Sequence, residues 1–186
     1  MKLVIKNMVS LRCKLIVKAE LENLHIHFSE LGLGEVLIQE ELSARQMIEL
    51  STNLSKSGLE LLEDRKGILI ERIKNVIIEM IHYSEEPPVN NFSAYLSNKL
   101  HYDYNYLSTL FSEMEGVTIG NFMMAHKIER VKELLIYNEM SLTMIAAKLH
   151  YSSVAHLSNQ FKKVTGVTPS CFKNRKHKRL IALEDL

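Results

Sequence analysis

Two short stretches of this 186-residue chain carry the same kind of chemistry. Tyr104, Asn105, Ser108 and Thr109 are spaced to share one side of a helix, and Val154, Ala155, Ser158 and Asn159 repeat that spacing further on. Amides, hydroxyls and small methyl-bearing side chains contain no nucleophile activated by a base. On a helix they suit hydrogen bonding and apolar contact with base edges in a DNA major groove, where Asn pairs bidentately with adenine and Ala or Val touches a thymine methyl. No arginine stands at any of these positions, so the strong bidentate guanine contact is missing. Lys127, Lys162 and Lys163 are the candidate phosphate contacts, which position a protein without specifying sequence. Each also reads as a solvated lysine on an ordinary helix face.

These stretches lie inside a duplication. "KLHY" occurs at Lys99 to Tyr102 and again at Lys148 to Tyr151. Aligning Tyr106 to Phe122 with His156 to Phe172 needs no gap and matches seven positions, from Leu107 and Ser108 to Thr118 and Phe122. Fixed-period self-similarity signals one structural unit written twice. The second copy reads as helix, turn, helix. Leu142, Ile145, Ala146 and Leu149 share a face, Ser141 is an expected N-cap, and Ser152 or Ser153 caps the next helix. Leu157 and Phe161 form that helix's buried side, Gly166 ends it, and Pro169 is expected to prevent continuation. Between the copies, Phe122, Ile128, Val131, Leu134 and Leu135 mark a connecting helix. Such a connector would place both second helices in successive major grooves.

The stretch from about Phe92 to Lys176 resembles the DNA-binding domain of AraC/XylS-type transcription regulators, most closely in "IAAKLHYSSVAHLSNQFKKVTGVTPSCFK". The resemblance implies a bacterial regulator with two helix-turn-helix units on promoter DNA. It maps base reading onto Asn105, Ser108 and Thr109 and onto Ala155 and Asn159.

The front half alternates in type. "KLVIKN", "HIHF", "EVLIQE" and "LELLED" read as strands, with helices over "LRCKLIVKAELENL" and, capped by Ser43 and stopped by Gly58, "ARQMIELSTNLSKS". The order β-α-β-β-α-β predicts a ferredoxin-like α+β unit over residues 1–64, ahead of an all-α domain over 87–186. The opening also resembles heavy-metal-associated domains, whose Met-x-Cys-x-x-Cys loop binds soft metal. Met8 and Cys13 are in place, but Ser10 stands where the first cysteine belongs, and serine is a poor Cu(I) ligand. No metal site or cofactor is therefore expected; Cys13 alone is a weak metal candidate. His25 and His27 are expected to face one side of a strand. No general base sits at a recognisable distance from Cys13, so a thiol-dependent enzyme finds no support, and the chain reads as a non-enzyme.

Residues 65–86 read as a linker helix followed by the Pro-rich break "SEEPPVNN". Leu69, Ile73, Val76, Met80 and Tyr83 form its apolar seam, which suits packing on a neighbouring domain. A homodimer or protein partner is expected through the front domain or through residues 67–83, and the front domain is expected to sense, dimerise or dock a partner. Charge divides along the chain. Up to Glu86 there are 11 Lys/Arg against 14 Asp/Glu, a balance of −3, and from Pro87 there are 12 against 8, a balance of +4. The run "KNRKHKR" at Lys173 to Arg179 holds five of those cations. A basic rear half suits double-stranded DNA as partner. Two distant cysteines, no signal-peptide pattern and no long apolar run predict a cytoplasmic protein with no membrane contact. The competing reading is a protein–protein interaction module with little or no DNA binding.

Overall fold

β-branched and apolar residues open the chain, and Lys2–Lys6 forms strand β1, with Val4 and Ile5 buried. Ser10 then caps helix α1 (Leu11–Asn23), its hydroxyl accepting the Cys13 N–H. Strands β2 (Phe28–Leu31) and β3 (Glu35–Ile38), helix α2 (Ala44–Lys56) and strand β4 (Glu60–Leu62) follow. At the start of α2 a capping box joins Ser43 and Gln46 reciprocally. The computed structural model describes residues 1–84, 91–137 and 140–174. The Pro-rich break at 85–90 and the basic run beyond 174 lie outside the described residues.

The four strands make one antiparallel sheet in the order β2-β3-β1-β4, with Leu3 opposite Val36 and Val4 opposite Leu62. Leu3 and Ile5 enter a core with Val17 and Leu21 of α1 and Leu50 and Leu54 of α2. Val4, one residue out of phase, is buried too, and helix α3 (Arg65–Ile78) packs against β1. "HIHF" does not form a strand throughout. His25 turns the chain at φ 54°, β2 begins only at Phe28, and His27 pairs instead with Glu40 at 3.2 Å. The two histidines therefore do not share a strand face.

The helix expected as a linker belongs to a core. Leu69, Ile70, Ile73, Val76, Ile77, Met80 and Ile81 are all buried, together with Leu96, Leu107, Leu110, Phe111 and Phe122. That seam is used within the chain and is not available to a second copy. α3 runs into a π-helical turn, Glu79–Tyr83, which brings the Tyr83 hydroxyl to the Val9 carbonyl at 3.1 Å. The helices α4 (Phe92–Leu100), α5 (Tyr104–Glu115), α6 (Ile119–Tyr137), α7 (Leu142–Lys148), α8 (Val154–Thr165) and α9 (Pro169–Asn174) complete the rear half. The stripe of α6 is divided: Phe122 joins the first helical core, and Ile128, Val131, Leu134 and Leu135 join the second, with Ile145, Leu157 and Phe161.

An ion-pair cluster and a close contact bind these elements. Lys74 bridges Glu71, which is buried, and Glu115, at 3.0 and 2.9 Å. Burial opposes its charge, but the two carboxylates more than offset this and raise its pKa. Glycine at 34 has φ +72°, and a Cβ there would stand 1.7 Å from Asn75 Nδ2, so the front sheet's turn seats directly on α3.

Candidate nucleic-acid interface

The repeated "KLHY" is a repeated turn. α4 ends with His101 in the left-handed region at φ 60°, and after α7 His150 turns at φ 54°. A non-glycine residue seldom takes this conformation, so two equivalent histidines in it mark the same tight helix-to-helix turn. Asp103 then caps α5, accepting the N–H groups of Asn105 and Tyr106 at 2.8 and 3.3 Å. Ser153, not Ser152, caps α8 through the His156 N–H at 3.0 Å. Gly116 and Gly166 end the two helices at φ 70° and 77°. Behind each helix the matched phenylalanines meet edge to face, Phe111 with Phe122 at 5.4 Å and Phe161 with Phe172 at 5.5 Å. α8 ends at Gly166 as expected, and Pro169 opens the next helix, α9, where the first helical position needs no N–H donor.

Leu107, Leu110 and Phe111 turn α5 inward, and Leu157 and Phe161 do so for α8. Asn105, Thr109, Ala155 and Asn159 are exposed, and Ser108 and Ser158 are half-buried. Tyr104 and Val154, expected to face outward, lie half-buried against the two helical cores. Lys162 and Lys163 are exposed on α8.

Lys127, by contrast, is half-buried. Its ammonium donates to the Leu149 carbonyl at 3.0 Å and lies 5.4 Å over the Tyr151 ring, joining α6 to the turn of the second unit. Burial lowers its pKa, and burial raises that of Tyr151 to about 12. Exposed aromatics also flank α5 that spacing alone did not select. Tyr102 and Tyr106 are each 48% exposed and stack at 5.7 Å between ring centroids, with 25° between their planes. The signal for Tyr102 was the phrase "KLHY" itself. At the position matching Tyr106, His156 is exposed and its Nδ1 lies 3.0 Å from the Ser152 hydroxyl.

Cys13 lies far from these helices. It is half-buried, with its sulfur 3.1 Å from the Ser10 hydroxyl and 3.7 Å from the Asn7 carbonyl. Among the described residues no group of three or more His, Cys, Asp or Glu is placed to hold a metal ion. Among them, too, no helix is long and apolar enough to cross a membrane.

Residues 96–175 match the family model of a helix-turn-helix domain. YtdP of Bacillus subtilis, an uncharacterized HTH-type transcriptional regulator, is 28% identical over 106 residues, which cover 57% of this chain and 14% of that protein. An uncharacterized HTH-type transcriptional regulator of Staphylococcus aureus is 26% identical over 160 residues, 84% of this chain and 20% of that protein. This chain therefore spans a fifth or less of these relatives. The C-terminal domain of AraT, a response regulator from Geobacillus stearothermophilus, superposes with a TM-score of 0.51 at 23% identity, covering 64% of this chain and 92% of that domain. Residues 96–175 thus match a helix-turn-helix domain, and the rear half of the chain shares the fold of the AraT domain.

Proposed function

We propose that this chain is the DNA-binding part of a transcription regulator, and that α5 and α8 enter successive major grooves of one duplex. The observation that carries the reading is the equivalence of the two units. Each presents a second helix on the same scaffold of left-handed histidine, side-chain cap, terminal glycine and paired phenylalanines, with polar residues outward. Asn105, Ser108, Thr109, Ala155, Ser158 and Asn159 are the proposed base-reading residues, and Lys162 and Lys163 the proposed phosphate contacts. Tyr104 and Val154 contribute chiefly to packing, and Lys127 holds the second unit in place.

The front unit is proposed to be ferredoxin-like, on the support of its βαββαβ order and antiparallel sheet. We assign it sensing or partner docking. A cleft of ≈ 280 Å³ separates its β2–β3 turn from α3 and the end of α4, lined by Lys2, Glu35, Arg72, Asn75, Lys99 and His101. His101 is the turn residue of the first unit, so a change in this cleft would reach α5 directly. The cytoplasm is the proposed location, and no enzymatic role is assigned.

Selection of bound duplexes from a random pool by the full chain tests the function. The expected result is an enriched motif in two parts about one helical turn apart, bound less tightly as salt rises. No enrichment and no binding at low salt would remove DNA as the partner.

A further inference from the structure

Equivalent positions of the two units differ in charge. Asp103, Ser112 and Glu113 of the first unit correspond to Ser153, Lys162 and Lys163 of the second. The first set sums to −2 and the second to +2. Lys162 and Lys163 are exposed, and Ser112 donates its hydroxyl to the Ser108 carbonyl of its own helix. Glu113 is exposed where α8 has Lys163. α5 itself has no cation, and the stacked pair Tyr102 and Tyr106 stands at its start, Tyr102 in the preceding turn. The second unit does not repeat that pair on its surface: Tyr151 is half-buried in the second core, edge-on to His156 at 5.4 Å.

We propose that the two units grip DNA by different physics. α8 holds the phosphates through Lys162 and Lys163. The first unit is held by the rings of Tyr102 and Tyr106 packed on the sugar edge and base methyls flanking the groove, and Glu113 keeps its ionic hold weak. This inference rests on the DNA-binding reading above. The ring faces are large, apolar and already ordered against each other, so contact with them orders few further side chains. An aromatic contact releases no counterion, whereas each neutralised phosphate contributes about 0.9 to the slope of log affinity against log salt. The two grips therefore separate in one measurement.

The test is the affinity of the full chain for its pool-selected duplex over a series of salt concentrations. The variants are Tyr106→Ala, Tyr106→Phe, the double Lys162→Ala/Lys163→Ala, and Glu113→Lys. Tyr106→Ala is expected to weaken binding on the order of ten-fold with an unchanged salt slope. Tyr106→Phe, which keeps the ring, stays within about two-fold of the parent. The lysine double variant loses about 1.8 from the slope, and Glu113→Lys gains about 0.9 and binds more tightly. Thermal melting confirms that each variant is folded, as expected for exposed side chains. A parent chain that binds no duplex overturns the DNA reading and this inference with it. A parent that binds, with a Tyr106→Ala variant of equal affinity, overturns the inference alone. Equal losses for Tyr106→Phe and Tyr106→Ala, or a Glu113→Lys variant with unchanged slope, also overturn it, the first by assigning the hydroxyl and the second by taking α5 off the phosphates.

Discussion

Gly34→Ala measures how firmly the front unit is seated on the helical half. Two terms add. The backbone at residue 34 has φ +72°, which costs a residue with a Cβ about 1–2 kcal/mol. The new Cβ would also stand 1.7 Å from Asn75 Nδ2 and 2.7 Å from its Cγ, inside any tolerable contact. Asn75 is only 9% exposed, so its short side chain has little room to move aside. Overpacking of this kind costs about 1–3 kcal/mol. Gly58 supplies the control, since its φ is +75° and a Cβ there meets nothing within 4 Å. Gly58→Ala therefore reports the backbone term alone, about 1–2 kcal/mol. The expected gap between the two variants is about 2 kcal/mol, roughly 4–8 °C in melting temperature for a chain of this size. Adding Asn75→Ala to Gly34→Ala should close most of that gap and show a coupling that separated sites lack. Equal melting temperatures for Gly34→Ala and Gly58→Ala would mean that the sheet turn does not rest on α3, and the seating described here would be wrong.

His126 is fully buried beside His82, and burial, then the charge of that neighbour, lowers its pKa to about 4. A depressed histidine gives its full stability above the unfolded value near 6.5 and loses it as pH falls toward 4, so melts between pH 7 and 4.5 should drop by about 3 kcal/mol at most, and less in His126→Phe. His150→Gly should raise stability by about 0.5–1 kcal/mol in chemical denaturation, because glycine adopts φ 54° without a Cβ penalty. Asn159→Ala, measured against single-base variants of the selected site, should cost about 1–3 kcal/mol and relax the preference at one position, while Lys163→Ala weakens all sequences alike; an unchanged preference removes Asn159 from base reading.

Local signals were the legible ones. Ser43, Ser141, Gly58 and Gly166 sit where caps and stops act on their own few residues, and helix ends follow from such chemistry. The duplication was legible because it is a property of the letters. What failed depended on distant parts of the chain. The seam of α3 announced an apolar stripe, but nothing in it said that the stripe lies against Leu96, Leu107 and Phe111. Lys127 has the sequence of a surface lysine, and only the approach of the Leu149 carbonyl turns it inward. Alternation in "HIHF" gave a strand, and His25 instead completes the turn after α1, its N–H bonded to the Glu22 carbonyl at 3.1 Å. Spacing placed Tyr104 and Val154 on the outer side of their helices; the width of the buried stripe, set by the neighbouring core, took them back.

The Lys127 bond has a further consequence in effective concentration. α6 has 19 residues and is therefore about 28 Å long. A bare rod of that length, free to swivel at its end, would let the second unit sample a broad volume once the first had found DNA. Ile128, Val131, Leu134 and Leu135 of α6 pack into one core with Ile145, Leu157 and Phe161, and Lys127 adds a tie to the Leu149 carbonyl at the turn before α8, so that volume shrinks to a narrow range of distances and angles. For the proposed DNA complex, this makes the second encounter intramolecular and strongly favoured on a duplex with matching spacing, and nearly worthless on one whose spacing is wrong. Selectivity for the distance between half-sites would then reside in the α6 packing and the Lys127 tie, none of which touches a base.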